Sequence, residues 1–192
     1  MKIILSIILL VSSLEIIAFN DFRVGDVILL DLDCYSCQVI ESESGGRFSH
    51  SGVVISDGKE LFAAQSLGFV HHMPVKKFLK YTDKFVVIRP TMDISAFKKY
   101  HWEAYKSEYY MTPFDSDYRW DDQTLYCSEF LYKFMDRFMN FNDLRSAPMD
   151  FTRNWDYWAD HFRNGPPQGL EGISPNDFYR TSDFKVIYDS EK

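Results

Sequence analysis

The sequence predicts one α+β domain, in which an antiparallel sheet comes first along the chain and helices follow. Two observations carry this prediction. Short apolar runs separated by turn residues fill the chain up to Pro90, which is typical of strands joined by tight connections. After Pro90, apolar residues recur at spacings of three and four, which is typical of amphipathic helices. No linker divides the chain, and 192 residues fit one domain.

The strand predictions rest on apolar runs bounded by turn residues. The predicted strands are 26–32, 51–55, 60–65, 69–73, 85–88 and 184–188. The segment Ser56-Asp57-Gly58-Lys59 has the composition of a hairpin turn. The Ser- and Gly-rich segment 41–47 is predicted to be a loop, and 174–178 a turn.

Two helices are predicted after the sheet. The first follows Asp93, which is suited to cap it. The second begins near Asp121 and is the stronger prediction, because one apolar stripe runs along it. The stripe consists of Cys127, Phe130, Leu131, Phe134, Met135 and Phe138.

Composition and charge narrow the function. The chain is 46% hydrophobic and 17% aromatic, so it can bury a core and is not a disordered protein. Its net charge is −7 and it has no basic run, so binding to nucleic acid is not expected. It contains no H-E-x-x-H motif, no second cysteine pair and no Gly-rich phosphate loop. No metal and no organic cofactor are therefore expected.

The N-terminal residues have the pattern of a signal peptide. Residues 1–18 contain one lysine, an apolar run from Ile3 to Val11, and small residues after it. The run is too short for a stable membrane span. We therefore expect export to the periplasm or the extracellular space, with a mature domain over residues 19–192. An N-terminal helix or strand of the domain remains the alternative.

The three cysteines have different settings. Cys34 and Cys37 form a C-x-x-C pair, which an oxidising compartment favours as a local disulfide. Cys127 is then left unpaired. It falls at the start of the second predicted helix, where the helix dipole lowers the pKa of a thiol. A buried, inert cysteine is the alternative.

A cysteine nucleophile needs an imidazole as its base, and the chain has five histidines. His50 lies at the entrance of a core strand. His71 and His72 are neighbours in a predicted strand and therefore point to opposite faces. His101 is expected to be solvated among lysines. Spacing alone does not choose His50 over the others.

Several segments together resemble one known family. They are VGDVILLDLDC, FSHSGVVI, FVVIRP and FDSDYRWDDQTLYCSEFLYKF, in this order, and the tail ISPNDFYRTSDF fits them. The sequence resembles the circularly permuted, papain-like cysteine hydrolases of the YiiX type, which are relatives of the NlpC-type cell-wall peptidases. The resemblance covers about residues 24–184.

The resemblance implies a permuted papain-like α+β fold, in which an antiparallel sheet carries the histidine and packs against helices, one of them bearing the cysteine. It implies that Cys127 is the nucleophile and His50 the general base. The third polar residue of the family, often Glu, aligns with Ala63, which cannot orient an imidazole. Gln65 has the same strand parity as Ala63, and an amide can take this role. Gln65 is therefore the candidate third residue.

These roles predict an exported hydrolase of amide or ester bonds that works through a thioester acyl-enzyme. The expected substrates are peptides or amino-acyl amides, including cell-wall peptides, or lipid-like acyl compounds. Two alternatives stay open. One is a lipid-directed acyltransferase of the same fold, like the lecithin–retinol acyltransferase group. The other is an inactive binding module, which the alanine at position 63 motivates.

Overall fold

The computed structural model describes residues 19–192, and a six-stranded antiparallel sheet is its main element. The signal peptide predicted over residues 1–18 lies outside the described residues. The strands are β1 (Val27–Leu30), β2 (His50–Ser56), β3 (Leu61–Leu67), β4 (Phe69–Pro74), β5 (Phe85–Pro90), β6 (Ala147–Pro148), β7 (Glu171–Gly172) and β8 (Phe184–Asp189). The α-helices are α1 (Tyr35–Ser44), α2 (Val75–Phe78), α3 (Ser95–Ala104), α4 (Cys127–Asp136), α5 (Trp155–His161) and α6 (Pro175–Arg180). A 3₁₀ turn (Leu79–Tyr81) follows α2, and a π-helical turn (Tyr105–Tyr109) follows α3.

The large sheet has the strand order β4-β3-β2-β1-β5-β8, and every neighbouring pair is antiparallel. β6 and β7 form a separate two-stranded ribbon. Since strands of the first half pack against helices of the second half, the α+β fold predicted from the sequence is confirmed.

The two faces of the sheet are both covered, which explains the unbroken apolar run of β1. Val27 and Leu29 join the core that contains α4, whereas Ile28 and Leu30 join the core that contains α2. This division follows the alternation of side chains along a strand. The sheet is therefore a rigid plate between two cores, and its strand ends can hold functional side chains in fixed positions.

Three predicted boundaries were wrong, each because a local hydrogen bond or cap outweighs composition. Segment 41–47 is not all loop, since α1 extends through Ser44 and ends at Gly45, whose φ of 66° is typical of a helix C-cap. The turn predicted over 174–178 is the start of α6, where Ser174 N–H donates to Asp177 Oδ2 (2.7 Å) and Pro175 takes the first helical position.

The third difference concerns α4, which begins at Cys127 rather than near Asp121. The Asp121 carboxylate accepts hydrogen bonds from the backbone N–H groups of Gln123 (2.8 Å) and Thr124 (3.2 Å). An Asp side chain that binds the backbone in this way favours a turn over a helix. The cysteine is therefore the first residue of its helix rather than part of its interior.

One buried ion pair joins the residue just before β1 to β5, and it gives a stability prediction. The Arg89 guanidinium donates to both carboxylate oxygens of fully buried Asp26 (Nε–Oδ1 2.7 Å, NH2–Oδ2 2.9 Å). The substitution Arg89→Met leaves this carboxylate buried without its cation. We expect the free energy of unfolding to fall by about 3–5 kcal/mol, measured by urea denaturation.

The matched control is Arg23→Met, because Arg23 pairs through its side chain with exposed Asp21. This pair is in water, and such pairs contribute little to stability. The urea midpoint of the control is expected to stay close to that of the parent protein. Equal losses in the two variants would contradict the assignment of the Asp26–Arg89 pair as a stabilising contact.

Candidate active site

Cys127 is the first residue of α4, so its thiol lies at the positive end of the helix. The preceding residue, Tyr126, is extended (φ −82°, ψ 171°), and its backbone N–H donates to Glu129 Oε2 (3.3 Å). This bond closes the first turn in the manner of a capping box. The apolar stripe of α4 packs against the sheet. The position of Cys127 is therefore set by two packed elements rather than by a loop.

His50 lies opposite this helix start, as the first residue of β2. It is 4% exposed, and the Cys127 thiol is close enough to shift the pKa of its ring. Its Nε2 lies 2.5 Å from Gln65 Oε1. Because Gln65 takes up Nε2, Nδ1 is the ring nitrogen left for the sulfur. The structure therefore brings together the cysteine and the histidine that the family resemblance singled out.

The electrostatics of the pair favour the charged form of both partners. Burial by itself disfavours an imidazolium, but the charge of Cys127 and hydrogen bonds to Cys127 and Gln65 outweigh it, so the pKa of His50 is raised. Burial also disfavours a thiolate. The positive charge of His50, together with the backbone N–H of Ser128, outweighs it, so the pKa of Cys127 is lowered. Both shifts favour the thiolate–imidazolium form of the pair.

Gln65 is the third member of a row of polar side chains that begins with Cys127 and His50. It is fully buried, with Oε1 toward His50, while Nε2 donates to the Tyr81 hydroxyl (3.3 Å) and lies 3.0 Å from His71 Nε2. Ala63, two residues earlier, is packed in the core that contains α2. The amide, and not position 63, is thus the group in contact with the imidazole.

The Cys127–His50 pair opens onto a cavity of about 350 Å³. Its wall is mainly aromatic and aliphatic. Apolar wall residues include Leu32, Ile40, Leu67, Phe114, Tyr118, Met149, Phe151 and Trp158. Among the described residues no lysine or arginine lines it. A cavity of this size and composition is typical of a small-molecule or side-chain binding site.

Three carboxylates on the cavity wall already have hydrogen-bond partners. Glu43 accepts from the backbone N–H of Arg153 (2.9 Å), Asp150 from that of Thr152 (3.1 Å), and Asp177 from that of Ser174 (2.7 Å). These acids therefore hold the loops that form the wall.

Tyr118 is a wall residue in an unusual backbone conformation, with φ of 50°. The Asp115 carboxylate stabilises this turn by accepting from the backbone N–H groups of Asp117 (2.9 Å) and Arg119 (2.5 Å). A bulky residue in the left-handed region is strained, and such strain is concentrated at functional sites. The ring of Tyr118 packs at a tilt of 44° against that of Tyr126 (centroids 4.9 Å apart), the residue before the nucleophile. Composition and spacing gave no signal for this conformation.

Glu129 is another residue that the sequence reasoning missed. It is fully buried two residues after Cys127, and burial raises its pKa to about 7 against the hydrogen bond and charge of Lys133 (Nζ–Oε1 2.9 Å). Its spacing of three from Tyr126 is that of a capping box, which was the available signal. Glu129 therefore orders the helix start on which the thiol depends.

The remaining histidines have other surroundings. His71 and His72 point to opposite faces of β4, as strand alternation requires: His71 faces Gln65, and His72 Nδ1 lies 3.0 Å from the Tyr105 hydroxyl. The expectation that His101 is solvated was wrong. Its ring is buried against Ser56, whose backbone N–H lies 3.0 Å from His101 Nε2. His161 lies at the end of α5.

Cys34 and Cys37 are joined by a disulfide at the start of α1. Cys37 is buried and lines the cavity, whereas Cys34 is exposed. We expect iodoacetamide to modify Cys127 in the oxidised protein, and to modify the other two only after reduction. The measurement is peptide mass spectrometry before and after treatment with a reductant. Immediate modification of all three thiols in protein taken from its native compartment would contradict the disulfide.

The fold and the site together define a class of protein. It is a papain-like arrangement in which the strand bearing the histidine precedes the helix bearing the cysteine, as in circularly permuted members of that group. The sequence matches the profile of the permuted papain-like amidases, YaeF/YiiX, family C92, over residues 21–188. The chain belongs to this family, which confirms the resemblance stated from the sequence.

Two comparisons show how similar this chain is to other proteins. YiiX of Escherichia coli K12 is 25% identical over 113 residues, which are 58% of this chain and 56% of YiiX. The match thus spans little more than half of that relative. A crystal structure of YiiX from E. coli O157:H7 superposes with a TM-score of 0.77 and 17% identity, over 87% of this chain and 97% of that one. At this identity the likeness shows the fold.

The solved YiiX structure is described as that of a metalloprotein. Among residues 19–192 of the present chain, no group of three or more His, Cys, Asp or Glu side chains is placed to hold a metal ion. In the same part of the chain, no helix has the length and apolar character needed to cross a bilayer.

Proposed function

We propose that the protein is an exported cysteine hydrolase of amide or ester bonds, with Cys127 as nucleophile, His50 as acid and base, and Gln65 as the residue that orients His50. The observation that carries this proposal is that the Cys127 and His50 side chains share the wall of one cavity, while Gln65 Oε1 lies 2.5 Å from His50 Nε2. Membership of an amidase family supports the bond type.

The reaction follows from the charged pair. The Cys127 thiolate attacks the substrate carbonyl carbon, and the new oxyanion accepts hydrogen bonds from backbone N–H groups at the start of α4. The His50 imidazolium gives its proton to the leaving amine or alkoxide as that bond breaks, which leaves a thioester on the sulfur. Neutral His50 then takes a proton from water, whose oxygen attacks the thioester. The C–S bond breaks, the carboxylic acid leaves, and the thiolate and imidazolium are restored.

The cavity supports an acyl group that is apolar and carries no negative charge. Its wall offers aromatic and aliphatic contacts, and among the described residues it offers no lysine or arginine to pair with a substrate carboxylate. Peptide-like amides with an apolar acyl side are therefore the first substrate class, and fatty-acyl amides or esters the second. Cell-wall peptides fit this proposal only through apolar portions.

Export is supported by two features of the chain. The apolar N-terminal run has the pattern of a signal peptide. The Cys34–Cys37 disulfide is suited to an oxidising compartment, since thiols in the cytosol are kept reduced. Fractionation of cells that express the tagged chain tests this part, and retention of full-length protein in the cytosol would contradict it.

The direct test is capture of the acyl-enzyme. The protein is mixed with a p-nitrophenyl acyl ester, or with an acyl amide of an amino acid, and quenched in acid. We expect a burst of leaving group and an added acyl mass on the peptide that contains Cys127, removable by hydroxylamine. Acylation of other residues alone, or no acylation, would overturn the proposal.

A lipid-directed acyltransferase is the second candidate, because an apolar cavity excludes water and favours an organic acceptor. The same acyl-enzyme separates the two functions. Added alcohols or amines yield an acylated acceptor from a transferase, whereas a hydrolase releases mainly the free acid. The inactive-module alternative was motivated by Ala63, and Gln65 instead contacts the imidazole in this protein.

A further inference from the structure

The row of side chains continues beyond Gln65 to His71. The two residues stand opposite each other in the β3–β4 register, so their side chains share one face of the sheet. Gln65 Nε2 lies 3.0 Å from His71 Nε2, and His71 Nδ1 lies 2.9 Å from the Phe69 carbonyl oxygen. His71 thus has contacts at both ring nitrogens, one of them to the residue that holds His50.

These contacts determine which ring nitrogen of His71 carries its proton. A carbonyl oxygen only accepts, so His71 Nδ1 carries a proton and donates it to Phe69. His71 Nε2 is then free to accept from the Gln65 amide N–H. With its nitrogen directed at His71, the amide presents Oε1 to His50 Nε2–H. The neutral form of His71 therefore fits the orientation of Gln65 that a His50 imidazolium needs.

We infer that His71 is a positioning residue for the Cys127–His50 pair: neutral His71 holds the Gln65 amide in its working orientation, and protonation of His71 removes that orientation. This inference rests on the proposed function, since it assigns a role within the same site. His71 acts through Gln65 and touches neither the thiol nor the reacting atoms.

Protonation of His71 and protonation of His50 oppose each other because the Gln65 amide has only one hydrogen-bond acceptor, Oε1. A doubly protonated His71 directs a second N–H at the Gln65 amide nitrogen, which is itself a donor, and two donors repel. Rotating the amide by half a turn gives Oε1 to His71 but then directs N–H groups at His50 Nε2. An imidazolium at position 50 would lose its acceptor. One amide therefore cannot satisfy protonated His50 and protonated His71 together.

Titratable residues near His71 lie on its own strand, on β2, at the start of α4, and in α2 and the turn that follows it. Tyr81, in the turn after α2, accepts from the second N–H of Gln65 (3.3 Å), and the His50–Cys127 pair lies beyond Gln65. On its own strand, His72 faces the other way, toward Tyr105 and Tyr110. The lysines of α2 and the following turn are exposed: Lys76, Lys77 and Lys80. Histidine is the side chain among these that changes charge near neutral pH.

The test needs no natural substrate, because alkylation of Cys127 reports the thiolate. The rate of Cys127 alkylation by iodoacetamide is measured from about pH 5 to 8, the range in which histidines titrate. The variant His71→Gln supplies an amide oxygen that accepts from Gln65 and takes no proton. Its rate is expected to match the parent protein at the alkaline end, and its acid limb to lie lower by about one pH unit, the scale of coupled titrations.

Two further variants separate positioning from structure. His71→Ala removes the acceptor and is expected to slow alkylation across the whole range, with His71→Gln restoring it. His72→Gln is the matched control on the same strand, and its acid limb is expected to coincide with that of the parent. Superposable profiles of the parent protein, His71→Gln and His71→Ala would overturn the inference.

The two proposals fail separately. Loss of acyl-enzyme formation, with the effect of His71 on Cys127 alkylation retained, contradicts the hydrolase. An acyl-enzyme that forms without any effect of His71 on alkylation contradicts the role of His71.

Discussion

The substitution Cys127→Ala is expected to abolish hydrolysis, with kcat/KM falling by about 10⁴-fold or more, as for the removal of other covalent nucleophiles. The thiolate forms the acyl-enzyme, and no neighbouring group replaces it. Ser51, next to His50 on β2, is an alcohol and lacks the lowered pKa of the Cys127 thiol. The measurement is the initial rate with the p-nitrophenyl ester or acyl amide used for acyl-enzyme capture.

Ser128→Ala is the matched control for this variant. Ser128 follows the nucleophile, and its hydroxyl donates to the Ile173 carbonyl oxygen (2.7 Å), so its loss loosens the wall of the cavity but leaves the backbone N–H at the helix start. Its kcat/KM is expected to stay within about tenfold of the parent value, because a neutral hydrogen bond contributes about 1 kcal/mol. Comparable losses in the two variants would show that disruption of the helix start, and not loss of the thiol, reduces the rate.

The substitution Gln65→Ala is expected to have the second-largest effect. It removes the acceptor for His50 Nε2–H, and a hydrogen bond to a charged group contributes about 1.5–3 kcal/mol. We expect kcat/KM to fall by about 10- to 100-fold. The pH profile also changes, since the Gln65 hydrogen bond raises the pKa of His50. Without it, His50 loses its proton at lower pH, so the alkaline limb of the profile moves to lower pH.

The substitution Gln65→Glu is expected to shift the alkaline limb of the pH profile in the opposite direction. A carboxylate at this position still accepts from His50 and adds a negative charge, which raises the pKa of an imidazole. The alkaline limb should therefore move to higher pH than in the parent protein. The two variants must shift this limb in opposite directions. A shift of both in one direction would contradict the assignment of the limb to His50.

The sequence predicted the fold where periodicity is strong and missed it where single hydrogen bonds decide. The buried strands and the apolar stripe of α4 were predicted because their side-chain patterns extend over several residues. The start of α4 was misplaced because Asp121 binds the backbone locally. Such a choice depends on where one carboxylate points, and composition does not contain that information.

In the site, too, some residues were predicted from the sequence and others depended on contacts that the sequence does not show. Cys127 and His50 were singled out by the resemblance, and Gln65 by its parity with Ala63 in a predicted strand. The proximity of the three side chains is now a structural observation, while their catalytic roles remain the proposal to be tested. His71 was not predicted, because its partnership with Gln65 depends on the register of two strands. Register is set by the turn and by packing across the sheet.

The disulfide also bears on how the chain matures. Cys34 and Cys37 are separated by only three positions, whereas Cys127 lies much further along the chain. Closing a short loop loses less chain entropy than closing a long one. During synthesis the first two cysteines also emerge well before the third. We therefore expect them to pair with each other first, so that mispairing is avoided by the order of the chain and the nucleophile reaches its folded position as a free thiol.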